Sequence, residues 1–175
     1  MRIEFVLTRR DVEFMHNYSI KKIGIGILFL AFLTLIISSC QKEKSLSDQI
    51  MRIIDDKCNL GEICDISLNE ITTFKWDKVV VFQVGSSSKE ISNALGVKYE
   101  GSTDLMSGLI FVLDNKIVYE EMIPYQTERP TNLQIFIDKK ANEPNNVVLS
   151  FDDAILKGNK ERLDDVTYYS IGVNN

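Results

Sequence analysis

The stretch Leu109-Ile110-Phe111-Val112-Leu113-Asp114-Asn115-Lys116-Ile117-Val118-Tyr119-Glu120-Glu121-Met122-Ile123 decides the fold of this 175-residue chain. Two runs rich in β-branched and aromatic residues flank Asp114-Asn115, a pair that tolerates positive φ, and this predicts a hairpin with a two-residue turn. Upstream, residues 79–84 (Val-Val-Val-Phe-Gln-Val) are apolar on both faces, so they read as a central strand covered on both sides. Further strands are expected at residues 63–68, 133–138, 147–151 and 168–173, with a weak one near 154–156. Pro124 and Pro130 punctuate the connection into residues 133–138.

Two segments carry helical signals. Leu46, Ile50, Ile53, Ile54 and Cys58 share one face at i, i+4, i+7 and i+8 spacing, which predicts an amphipathic helix over residues 46–57. Ser45 followed three residues later by Asp48 caps its start, and Gly61 suits a left-handed turn after its end. Ser87 with Glu90 forms a capping box that opens a short helix over residues 89–95, which Gly96 stops. The serines and glycine before that helix lack the spacing of a phosphate-binding loop. The expected class is therefore α+β: an N-terminal amphipathic helix and one short helix packed on an antiparallel meander sheet of about five or six strands.

Ahead of this body stand Lys21-Lys22, fifteen apolar residues at positions 23–37, and Ser38-Ser39-Cys40. A cationic segment, an apolar run and small residues form the layout of a secretory signal. Ile37-Ser38-Ser39-Cys40 resembles the lipobox of bacterial lipoproteins. The resemblance implies diacylglyceryl transfer to the Cys40 sulfur, cleavage before Cys40 and acylation of the new amino terminus, giving stable membrane anchoring. It divides the chain into a signal peptide over 1–39, a lipidated tether over 40–45 and a single globular domain over 46–175. An uncleaved transmembrane anchor and a buried core helix are the competing readings of the apolar run. Either membrane reading puts the body outside the cytoplasm, facing the periplasm or cell surface, with the outer membrane favoured in a Gram-negative cell. Phe74-Lys75-Trp76-Asp77-Lys78 is similar to a motif of small uncharacterised secreted bacterial proteins, a likeness that implies no activity.

The charge balance changes once the leader is set aside. The whole chain has 20 Lys+Arg and 25 Asp+Glu; its first forty residues hold five and three of these, leaving 15 against 22, a net charge near −7. An acidic body excludes nucleic acid as a partner, since phosphate binding needs a cationic surface. It favours instead an envelope or secreted protein with a cationic surface. His16 is the single histidine and belongs to the leader. The body thus has no Ser-His or Cys-His nucleophile pair and no histidine-ligated metal. No catalytic residue, metal or cofactor is assigned. The body reads as a non-enzymatic binding module, with immunity or inhibition as one version. The alternative is a carboxylate-dependent hydrolase acting on glycan or peptide, drawing on Asp55-Asp56, Glu120-Glu121, Asp152-Asp153 or Asp164-Asp165. Adjacent acids in a strand point to opposite faces, which counts against Glu120-Glu121 as a convergent pair.

Cys58 and Cys64 enclose five residues in an oxidising compartment. A disulfide clipping the helix end to the next strand is expected, with a redox pair and two free thiols as the alternatives. Phe74, Trp76 and Asp77 are the candidate interaction patch, against packing at a sheet rim with Asp77 in water. Upstream, Met15 opens a leader of ordinary proportions, whereas residues 1–14 include Arg9, Arg10, Asp11 and Glu13 ahead of it. Replacing Met15 is expected to abolish the product, as judged by immunoblot. Undiminished product of unchanged size would place the start at Met1.

Overall fold

Apolar side chains on both faces of one short strand organise the structure. The computed structural model describes residues 44–128 and 132–174. The expected signal, the lipobox-like Ile37-Ser38-Ser39-Cys40, the start of the expected tether and Met15 lie outside the described residues. Among the described residues there are three helices: α1 (Leu46–Lys57), α2 (Leu68–Ile71) and α3 (Ser88–Leu95). The strands are β1 (Ile63–Ser67), β2 (Lys78–Phe82), β3 (Met106–Leu113), β4 (Lys116–Pro124), β5 (Gln134–Asp138), β6 (Asn146–Ser150), β7 (Ile155–Leu163) and β8 (Val166–Asn174). The class is mixed α+β and mostly β.

The strands form two four-stranded sheets, ordered β1-β7-β8-β5 and β4-β3-β2-β6. This corrects the single meander of five or six strands. The β3–β4 hairpin survives from that expectation. The long β7–β8 hairpin does not follow from it, and β2 pairs with both β3 and the distant β6. The β5–β8 pair is parallel, so the first sheet is not purely antiparallel. The physical reason lies in what periodicity encodes. It marks residues that are extended and half-buried, and leaves the partner strand to be chosen by tertiary packing.

Val79, Val80, Val81 and Phe82 of β2 are fully buried, as the two-sided apolar run predicts. Val79 and Val81 face the core between the sheets, with Leu109 and Phe111 of β3 and with Ile66, Leu156, Ile171 and Val173 of the other sheet. Val80 and Phe82 face the other way and pack beneath Ile91 and Leu95 of α3. The capping box holds α3 at its start, with Ser87 Oγ accepting from Glu90 N at 3.2 Å and Ser87 N donating to Glu90 Oε2 at 2.8 Å. Donation from Ser87 N and from the Ser87 hydroxyl holds the Glu90 carboxyl below its ordinary value, the backbone donor foremost. Gly96 ends α3 at φ +71, in the left-handed region.

Asp114 and Asn115 take φ of 50° and 58°, the two-residue turn expected from their sequence. The register slips between Phe111 and Val112, opposite Val118. That bulge reverses the alternation along β4. Ile117 therefore joins the α3 side, while Tyr119, Glu121 and Ile123 face the core between the sheets. Glu120 points to the α3 side, beside Tyr99.

Helix α1 links the two sheets. Leu46, Ile50, Ile54 and Cys58 sink its apolar stripe into the intersheet core, at about 2 kcal/mol for each large side chain. Ser45 Oγ caps its first turn, accepting from Asp48 N at 3.1 Å. The stronger anchor is Glu121, only 7% exposed on β4. Its carboxylate accepts from Leu46 N at 3.1 Å, Ser47 N at 3.2 Å and Tyr119 OH at 2.6 Å, and from the Ser47 hydroxyl. A buried carboxylate meets the positive end of the helix dipole there, and charge-assisted bonds take up its charge. At the other end, Lys160 Nζ donates to Asp55 O at 2.6 Å, and the disulfide Cys58–Cys64 ties the helix end to β1. Beneath the helix lies Gly158, where an added Cβ would stand 2.5 Å from Ile66 Cδ1 and 3.0 Å from Ile54 Cγ1. Only glycine lets α1 approach β7 so closely.

Glu121→Ala is expected to lower the unfolding free energy by about 3 kcal/mol, because several donors lose a charged acceptor. Urea denaturation checks this. A midpoint unchanged from the parent would show that Ser45 alone holds the helix start.

Candidate functional site

The residues singled out from sequence fall in three places. Cys58 and Cys64 are joined as a disulfide, with Cα atoms 5.4 Å apart. Cys40 lies outside the described residues. Phe74, Trp76 and Asp77 lie together but do not present an aromatic surface. Trp76 is only 4% exposed; its ring sits 5.1 Å from Phe111 and 4.8 Å from Phe151, and its Nε1 donates to Thr72 Oγ1 at 2.8 Å. Phe74 stacks on Tyr119 at 4.8 Å. Asp77 keeps its side chain exposed, and Oδ2 accepts from Asp114 N at 3.1 Å, bracing the β3–β4 turn. These three residues serve packing and turn geometry.

Other exposed apolar side chains lie on the outer face of the β1-β7-β8-β5 sheet, while Leu105, Val118 and Val148 are exposed away from it. Ile63 is 70% exposed, Phe136 59% and Leu163 63%, all lining depressions on that face. Strand alternation explains the placement. Ile135 and Ile137 of β5 turn into the core, so Phe136 between them must turn out. Ile66 and Leu156 likewise point inward, sending Asp65 and Lys157 outward.

The registers align the outward residues in rows. Asp65 lies opposite Lys157, which lies opposite Gly172, which lies opposite Phe136. Gly172 has no side chain, so a gap two strands wide, about 10 Å, separates Lys157 from Phe136. The next row runs Ile63, Asn159, Ser170 and Gln134. Beyond it Glu161 faces Tyr168. The larger depression holds about 780 Å³ and is bordered by Tyr125, Phe136, Leu163 and Tyr168. It shares Phe136, Asn159 and Ser170 with its neighbour over Ile63 and Gly172, so the two form one trough.

Polar groups in the trough are mostly neutral. Asn159 Nδ2 donates to Glu161 Oε1 at 3.3 Å, while Asn159 Oδ1 is closed off from solvent with no hydrogen-bond partner. Gln134 Nε2 donates to Asn132 Oδ1 at 2.7 Å. Lys157 Nζ pairs with Asp65 Oδ1 at 2.6 Å, and Arg162 with Asp165 at 3.4 Å. These exposed pairs fix side-chain position more than they add stability. Sequence reading missed this face because β7 from Gly158 to Arg162 is polar and shows no alternation of its own. The visible signal was Ile135-Phe136-Ile137, three apolar residues in a strand with one side to bury.

Among the described residues no helix is long and apolar enough to cross a membrane, and no group of three or more His, Cys, Asp or Glu could hold a metal ion. No family model, curated protein or solved structure matches the chain.

Tyr169 borders the trough and reaches across to α1, its OH bonded to Asp55 Oδ1 at 3.3 Å. Burial pushes this phenol above its ordinary value of 10.0, and the Asp55 charge adds to the effect. Tyr99 is raised in the same way, by burial first and then by Glu120. Both raised values mean the fold favours the neutral phenol. Their contribution is complete below the unfolded value near 10.0 and is lost as pH rises through the folded values. Unfolding free energy is therefore expected to fall above pH 10.0, and Tyr99→Phe with Tyr169→Phe to flatten that fall in denaturant titrations.

Proposed function

We propose that this chain is a lipoprotein of the bacterial envelope, held by lipid on Cys40, and that its domain is a non-enzymatic binding module. The observation that carries the binding reading is the outer face of the β1-β7-β8-β5 sheet, where Ile63, Phe136 and Leu163 stay exposed around a trough. Exposed apolar residues gathered on one face, with polar groups between them, are the composition of a recognition surface. The carboxylate-hydrolase alternative needs two acids converging on one cleft. Glu120 and Glu121 face opposite sides of β4, and Glu121 is engaged by the start of α1. A cationic protein partner of the immunity or inhibitor kind would dock on the acidic surface off this face, because the charges lining the trough balance.

Support for the anchor comes from Ile37-Ser38-Ser39-Cys40 after the apolar run of residues 23–37. In a bacterial host fed an alkyne fatty acid, the parent chain is expected to take up label and to stay with membranes after alkaline carbonate. Cys40→Ser removes the label and retains the uncleaved leader. Equal labelling of the variant would overturn lipidation at Cys40. A parent chain that is unlabelled yet membrane-bound would identify residues 23–37 as a transmembrane anchor.

A further inference from the structure

We infer that the trough on the outer face of the β1-β7-β8-β5 sheet binds a neutral oligosaccharide, an assignment that rests on the binding-module reading and names its ligand.

Charge is the first argument. The body carries a net charge near −7, 15 cations against 22 acids, yet the trough is lined by two acids, Asp65 and Glu161, and two bases, Lys157 and Arg162. Lys157 is neutralised by Asp65 at 2.6 Å. Such a surface offers no excess charge to an ionic ligand, so its complement is uncharged.

Side-chain chemistry narrows the class. Phe136 and Tyr125 are 59% and 49% exposed, and Tyr168 stands beside them on β8. Their ring faces can receive the C–H face of a pyranose, which is apolar although its rim is all hydroxyl. Gln134, Asn159 and Ser170 supply amide and hydroxyl groups in the row beside Phe136. A sugar hydroxyl both donates and accepts, and amides and hydroxyls do the same, so each can meet either end of it. Asn159 belongs to both depressions, and its Oδ1 lacks a partner in the protein.

The backbone argues against an extended peptide in the same place. Peptides that add to a sheet bind along its edge, through unpaired main-chain groups. Here the trough runs across the face of the sheet from β1 to β5, and its floor is β7 and β8, whose main-chain ladders are paired on both sides. Over that floor only side chains reach the ligand. Two depressions joined end to end fit a chain of rings better than a single small molecule.

Affinity electrophoresis of the full chain in detergent tests this, with gels containing β-glucan, mannan, xylan or amylose, and polygalacturonate as the charged comparison. At least one neutral polymer is expected to retard the protein and polygalacturonate not to. Phe136→Ala and Tyr168→Ala should each weaken retardation about tenfold, the scale of one lost aromatic contact. Val148→Ala, an exposed position on the other sheet, should change nothing. Gly172→Leu keeps the proposal testable without deleting a ring. A Cβ there meets nothing nearer than 3.7 Å, so the fold tolerates it while the side chain fills the gap and blocks binding. Failure of all four neutral polymers, stronger retardation by polygalacturonate, or variants that bind like the parent would overturn the assignment. A photocrosslinker in place of Ser170 on whole cells separates that failure from failure of the binding face. Capture of a protein or a second copy there keeps the face and ends the saccharide assignment; no capture after failed retardation ends both.

Discussion

The carboxylate of Glu121 under the first turn of the Leu46–Lys57 helix is the contact on which the two-sheet arrangement depends. The residue belongs to one sheet, while the helix packs on the inner face of the other. A buried charge is tolerated only where it is fully paired, and here four donors converge on it. At the far end of the same helix, Lys160 and the Cys58–Cys64 disulfide tie it to β7 and β1. The helix thus braces both sheets, and Gly158 permits the close approach. Moving Glu121 by one position would send its carboxylate to the α3 side, where Glu120 lies, and free the helix start. The bulge at Val118 that sets this phase is therefore as important as the residue itself.

With α1 bracing one side and α3 covering the other face of β2 and β3, three of the four sheet faces are occupied. The fourth is the outer face of β1-β7-β8-β5. Its strands still alternate, so the residues opposite the core ones must go somewhere, and nothing in the described chain covers them. Some are ordinary surface groups such as Asp65 and Lys157, which pair with each other. Others, Phe136 and Ile63, gain nothing by exposure in the isolated domain. A cluster of such residues around a glycine gap distinguishes this face from scattered surface apolars.

The elements of this fold are unequally legible in its sequence. The β3–β4 hairpin, the two-sided burial of β2 and the capping box of α3 all rest on neighbours in sequence, and the structure has each of them close to its expected position. The long β7–β8 hairpin was nearly invisible. Gly158-Asn159-Lys160-Glu161-Arg162 is polar, because α1 needs a glycine on one side and the trough takes polar groups on the other. Asp164-Asp165, with φ of 49° and 62°, is a hairpin turn without glycine or asparagine. Trp76 was open to two readings, a surface patch or packing at a sheet rim. Packing holds, because Phe111 and Phe151 close over it from positions distant in sequence.

From the sequence came what is local: the starts and stops of α1 and α3, the Asp114-Asn115 turn, the apolar stripe of α1 and the acidic balance. Each follows from spacing of 2.0 or 3.6 residues or from charge, which need no partner to be read. Tertiary structure alone decided which strands pair, that there are two sheets, that β5 runs parallel to β8, and that Phe136 is exposed while Trp76 is not. Periodicity says that a strand has two faces. Which face meets the core depends on the whole of the rest of the chain, because burial is a property of the surfaces that come together.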